Sequence, residues 1–361
     1  MTVRDTIGQL LMVGFQGTEL SPEFIEWLQE YRPGGVILFS RNLVDAEQVA
    51  RLTNSLQEHA PNPPLLIAID QEGGRVSRLP QGFTIFPSAA SVAACQSPDV
   101  AYGVAEITAK ELRAVGINMN MAPVLDVNSN PANPIIGNRA YGDCPEQVCT
   151  FGIATMQGLQ DHGVIPCGKH FPGHGDTTTD SHKVLPVVTA DRARLTAIEF
   201  EPFRQAIQQG LPTLMTAHVY YPALDAEAPA TLSRTILTDL LRNELGFQGI
   251  TLTDDMEMRA ILDHGSIGEA SVRSLQAGAD IVLICHQQSR QTEAIQAIEQ
   301  ALDRGELSMD HLKASVDRIT ALKHTRLSTF QPVDPTLITH TVGIPEHKSF
   351  LEKIQRVAAR V

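Results

Sequence analysis

A single-domain α/β chain closed as a (β/α)8 barrel is the architecture this sequence predicts, on three observations. Eight short apolar or β-branched runs recur along the 361 residues, most of them followed by a longer stretch with helical spacing. Charged residues stand just past the C-terminal ends of five of those runs, where a barrel gathers its loops on one rim. The length suits one barrel with extended loops, and a hydrophobic fraction of 43% supplies a large core. Alternation alone would also suit a doubly wound sheet; the count of eight favours closure.

In chain order, the predicted strands are 10–15, 35–39, 65–70, 117–123, 166–171, 213–218, 249–254 and 281–285. Helical spacing marks 21–31, 46–59, 100–115, 145–162, 199–209, 235–245 and 268–278, with Pro202 in the first turn of the fifth, where a helix tolerates it. Glycines before the strands, in Pro33-Gly34-Gly35, Leu245-Gly246 and Ala277-Gly278, are expected to end helices in the left-handed region. The stretch 325–344 holds Pro332 and Pro335 and has weak periodicity. Residues 1–325 are therefore expected to form the barrel, and 326–361 a tail along it with a last helix near 346–359. No second domain is expected.

Twenty-eight Lys and Arg against 41 Asp and Glu leave a net charge of −13, which opposes phosphate backbones and anionic membranes. No basic run appears, so no nucleic acid partner is expected. Asp5 and Gln9 interrupt any leader-like apolar core, and the run 10–15 is too short to cross a membrane. Five scattered Cys without a CxxC pair suit a reducing compartment, so a cytoplasmic location is expected.

The chemistry concentrates in 169–182, which packs Lys169, His170, His174, Asp176, Asp180 and His182 after a buried run, while Pro172, Gly173 and Gly175 prevent a continuous helix. Asp70-Gln71-Glu72, Asp126, His218 and Asp254-Asp255 end other runs. Adjacent strand residues point to opposite faces, so one of Asp254 and Asp255 is expected to face the pocket; spacing does not say which. Asp180 near His182 offers a carboxylate that can fix an imidazole tautomer for proton transfer. The same His and Asp set has zinc-compatible donors, but Pro172 and Gly173 break the helical spacing a zincin needs, and no metal is expected. There is no Walker A loop or GxGxxG, so no nucleotide cofactor is expected, and Ser181 lacks a GxSxG elbow. Arg75, Arg78, Arg139 and Lys169 are cations available to grip hydroxyls or carboxylates, and Tyr220-Tyr221 can stack on a sugar or simply pack.

The blocks Ala68-Ile69-Asp70-Gln71-Glu72-Gly73-Gly74-Arg75-Val76, Asn118 to Asp126, Asn138-Arg139-Ala140-Tyr141-Gly142, Lys169-His170-Phe171-Pro172-Gly173-His174-Gly175-Asp176, Asp180-Ser181-His182 and Thr253-Asp254-Asp255-Met256-Glu257-Met258 closely resemble the β-N-acetylhexosaminidases of glycoside hydrolase family 3, in particular the single-domain bacterial NagZ type. They occur in family order over about residues 5–325. The resemblance implies a TIM barrel and a retaining exo-hydrolase of terminal β-linked N-acetylglucosamine. It assigns the nucleophile to Asp254, the acid/base to His182 paired with Asp180, and substrate contacts to Asp70, Arg78, Arg139, Lys169 and His170. It further implies a small carbohydrate partner, such as N-acetylglucosamine linked to an anhydro-muramic acid from peptidoglycan recycling. The segment 172–182 is expected to move His182 over bound sugar. The alternatives are a phosphorylase of the same family, a metal-dependent hydrolase and an inactive sugar-binding protein.

Overall fold

The computed structural model describes residues 2–60, 64–179, 181, 185–327 and 330–358. Eight parallel strands close in sequence order: β1 (Leu11–Val13), β2 (Gly35–Leu38), β3 (Leu66–Ile69), β4 (Met119–Asn120), β5 (Ile165–Phe171), β6 (Thr213–Thr216), β7 (Ile250–Asp255) and β8 (Ile281–Ile284), with β8 pairing back onto β1. This is the (β/α)8 TIM barrel. Strands buried on both faces read as apolar runs, and β1, β2, β3 and β8 do so throughout, while β5, β6 and β7 interleave buried polar residues such as Lys169, Thr213 and Thr251. β4 is shorter than expected. Pro123 has no N–H for the ladder, and beyond it only an isolated bridge joins Val124 to Lys169.

The helices start where side chains can accept from the first turn. Ser21, Asp45, Ser266 and Ser308 cap the helices Pro22–Tyr31, Ala46–His59, Ile267–Ala277 and Met309–Arg326. The stretch 235–245, expected as an ordinary helix, winds as a π-helix over Thr235–Glu244. Gly246 and Gly278 take the left-handed backbone. At 33–35 the expectation fails: the left-handed residue is Arg32, at φ 50°, and Gly34 is instead a contact glycine whose added Cβ would stand 2.2 Å from the Gln9 carbonyl oxygen.

The last elements are a short helix, Pro335–His340, and the helix Pro345–Ala358. Phe350 of the latter meets Phe86 edge-on at 6.2 Å, and Ile354 packs with Phe86 and Ile107. Among the described residues, no helix is long and apolar enough to cross a membrane.

Candidate active site

A cavity of about 190 Å³ opens at the C-terminal rim of the barrel. It brings together Asp70 and Glu72 after β3, Arg78 and Arg139 from longer loops, Lys169 and His170 on β5, and Asp254 and Asp255 on β7. Phe39, Met215, Met258 and His286 complete much of the wall. Six of the eight residues assigned by resemblance therefore converge. Asp180 and His182 lie outside the described residues; Ser181 between them lines the cavity.

Glu72 is the electrostatic hub. Its carboxylate stands 2.6 Å from the Lys169 ammonium and accepts two 2.8 Å bonds from Arg139, a planar fork on a planar acceptor. Burial alone would raise its pKa, but Lys169 and Arg139 outweigh that and hold it well below the usual carboxylate range. Lys169, itself buried, also donates to Asp70 at 2.7 Å, and its two carboxylates overcome desolvation to raise its pKa. Arg78 approaches the other Asp70 oxygen at 3.9 Å, and its Nε is buried with no hydrogen-bond partner among the described residues.

Behind this layer, Asp126 is fully buried and accepts from the His170 Nδ1–H at 2.6 Å, the His170 amide at 3.1 Å and the His174 amide at 2.6 Å. Arg139 can only donate, and it points at the His170 Nε2 from 3.4 Å, so the ring proton is assigned to Nδ1 facing Asp126. His174 is sealed between Thr177 and Ser181 hydroxyls, and burial pushes its pKa down to about 4. Gly175 is dictated by contact, because a Cβ there would overlap the Val127 carbonyl oxygen at 1.5 Å.

Asp254 accepts the Asp255 amide at 2.8 Å. Burial pushes its carboxyl pKa up, but His218, His170, that amide and Lys169 together bring it below the ordinary value, so it is ionised at neutral pH. Both carboxylates of the pair line the cavity, contrary to the alternation expected of a strand. The register of β7 against β8 shifts between Leu252 and Asp255, and such an irregularity re-aims the side chains that follow it. Asp255 is drawn to the β8 end, where it meets His286 at 3.2 Å and accepts from the Cys285 and Glu257 amides.

Four expectations from sequence find other uses. Tyr221 is fully buried with its hydroxyl on the Gly173 carbonyl, Tyr220 donates to the Ala226 carbonyl, and neither lines this cavity. Arg75 turns away to the carbonyls of the 134–136 turn. His218 sits between Thr231 and the Asp255 carbonyl. Glu72 was not among the assigned contacts, although a signal existed: it is a second carboxylate in the same block, Asp70-Gln71-Glu72, that follows the apolar run 65–69.

The chain matches the glycosyl hydrolase family 3 N-terminal domain over residues 2–322. It belongs to that family. The beta-hexosaminidase A of Pseudoalteromonas piscicida is 37% identical over 391 residues, an alignment covering 96% of this family 3 chain and 65% of that protein. A glycoside hydrolase family 3 beta-N-acetylglucosaminidase from Paenibacillus sp. str. FPU-7 superposes with a TM-score of 0.94 at 43% identity, covering 99% of this chain and 69% of that one. NagZ from Neisseria gonorrhoeae, solved with N-trifluoroacetyl-D-glucosamine, superposes with a TM-score of 0.78 at 31% identity over 97% and 98% of the two chains. The chain thus spans about two thirds of the first two relatives and nearly all of the third.

Proposed function

We propose that this family 3 chain is a retaining exo-β-N-acetylglucosaminidase that removes terminal β-linked N-acetylglucosamine through a covalent glycosyl-enzyme. The observation that carries the reading is the Asp254 carboxylate, held ionised, on a cavity it shares with Asp70, Glu72, Arg78, Arg139 and Lys169. Asp254 attacks the anomeric carbon as the bond to the leaving oxygen breaks, and His182 gives that oxygen its proton. His182 then takes a proton from water, which opens the glycosyl ester and releases the sugar with its configuration retained. Asp180 orients and polarises His182. Asp70, Arg78, Arg139, Lys169 and His170 hold the sugar hydroxyls and acetamide. An imidazole titrates near neutral pH without the burial a carboxylic acid would need for this task.

The leaving group we favour is an anhydro-muramic acid bearing peptide, met in the cytoplasm during wall recycling. Support comes from the resemblance to the NagZ type and from the relatives' names. Mass spectrometry of products from aryl N-acetylglucosaminides and muropeptides in phosphate buffer tests the whole reading. Free N-acetylglucosamine is expected; sugar-1-phosphate would make the chain a phosphorylase, and no cleavage of any substrate would refute it. Asp254→Ala should lose at least about a thousandfold in kcat with its melting temperature little changed, and near-normal turnover would remove Asp254 as nucleophile.

A further inference from the structure

The loop 70–88 carries three of the charged residues that line the cavity, Asp70, Glu72 and Arg78, and its return limb is fastened from outside the barrel. Glu111, on the helix Pro98–Ala114, is a buried carboxylate, 1% exposed. One oxygen accepts the Thr84 amide at 2.8 Å. The other accepts the Thr84 hydroxyl at 2.7 Å, the Gly343 amide at 2.9 Å and the His347 Nδ1–H at 2.8 Å. A single side chain thus joins the loop's return limb to the C-terminal segment, which lies beyond residue 322, where the family match ends.

Direct contact accompanies this bridge. Gly343 has φ +62°, and a Cβ on it would stand 2.0 Å from the Gly82 carbonyl oxygen. Phe350 packs on Phe86. Towards the cavity, the Phe86 carbonyl accepts the Gly74 amide at 2.9 Å, and a Cβ on Gly73 would approach the Pro87 carbonyl oxygen to 2.6 Å. The Gly73-Gly74 turn therefore rests on the limb that Glu111 holds. Glu72, which pairs with Lys169 and Arg139, is the residue just before that turn.

We propose that Glu111 is a positioning residue for the sugar-binding loop, and that the C-terminal segment from Gly343 to Phe350 is a brace that sets how tightly the sugar is held. The sugar as ligand rests on the function proposed above; the brace itself does not. An ordinary stabilising role would lower the melting temperature when disturbed without singling out this loop. The bracing role predicts a local effect.

The test uses the full chain with His347→Ala, which removes one donor to Glu111, and Gly343→Ala, which pushes on Gly82. Leu312→Ala, in the helix Met309–Arg326, is the destabilised control. Amide hydrogen exchange over 72–86 is expected to quicken about tenfold or more in the two brace variants. KM for an aryl N-acetylglucosaminide should rise about fivefold while kcat stays within about twofold. Leu312→Ala should lose at least as much melting temperature and leave both readouts unchanged. Unchanged loop exchange in both brace variants overturns the proposal, as does an equal KM rise in Leu312→Ala. If the wild-type chain cleaves no N-acetylglucosaminide, the functional reading falls and the exchange measurement alone decides the brace.

Discussion

Glu72→Gln is the sharpest perturbation of the site, because it removes one charge and leaves the volume nearly intact. The wild-type carboxylate receives three charge-assisted contacts, one from Lys169 at 2.6 Å and two from Arg139 at 2.8 Å. The amide oxygen of Gln has two lone pairs and can keep Lys169 and one Arg139 N–H, while its NH2 faces the remaining Arg139 donor. At least one buried cation is left underpaired, although Asp70 still holds Lys169. Breaking a buried pair from one side costs about 3–5 kcal/mol. At about 2 °C per kcal/mol for a chain of this size, the melting temperature should drop by roughly 6–10 °C at pH 7. The pH dependence follows from the depressed pKa. A carboxyl lowered in the folded state contributes stability above its unfolded value, here 4.5, and that contribution shrinks as the pH falls further. The gap between wild type and variant should therefore be widest above pH 5 and narrow below pH 4.5. Calorimetric scans from pH 3.5 to 8 measure both. A melting-temperature change under about 1 °C at pH 7, or a gap that widens in acid, would refute the hub assignment.

Two further predictions rest on groups away from the proposed nucleophile. Asp126→Asn should weaken sugar binding and cost about 2–4 kcal/mol, since a buried acceptor of three donors becomes in part a donor; wild-type KM together with wild-type melting would contradict its role in fixing His170. Lys323 is buried with Gln9 as its hydrogen-bond partner, and burial lowers its pKa to about 7. The unfolded chain then binds the extra proton between pH 7 and 10.5, so this group makes stability rise with pH across that window. The rise should be absent from Lys323→Met, and an identical pH–stability curve for the two proteins would argue against a neutral Lys323.

Several strands (β1, β2, β3, β8) were legible because burial on both faces leaves a run of Val, Ile, Leu and Ala between helical stretches. The convergence of Asp70, Arg78, Arg139, Lys169, His170 and Asp254 was legible through motif resemblance joined to the rule that barrel strand ends share a rim. What could not be read was the division of labour. Lys169, Arg139 and Glu72 compensate one another's desolvation, and such a balance depends on distances across three loops rather than on spacing within one. The two-faced expectation for Asp254 and Asp255 failed because register against β8 is a property of the neighbour strand. Glu111 showed no signal at all: it sits in the last turn of its helix, flanked by Lys110 and Arg113, and its partners lie up to 236 positions away.

The cavity wall has a chemical preference of its own. Four carboxylates, Asp70, Glu72, Asp254 and Asp255, face three permanent cations, Arg78, Arg139 and Lys169. With Glu72 spent on Lys169 and Arg139, the unsatisfied charge beside Asp254 and Asp255 is negative. A bound group that carries positive charge is therefore favoured there, and an anion is disfavoured. A sugar mimic with a protonated nitrogen in place of the ring oxygen should outcompete its neutral counterpart, and its advantage should fade as rising pH strips that proton.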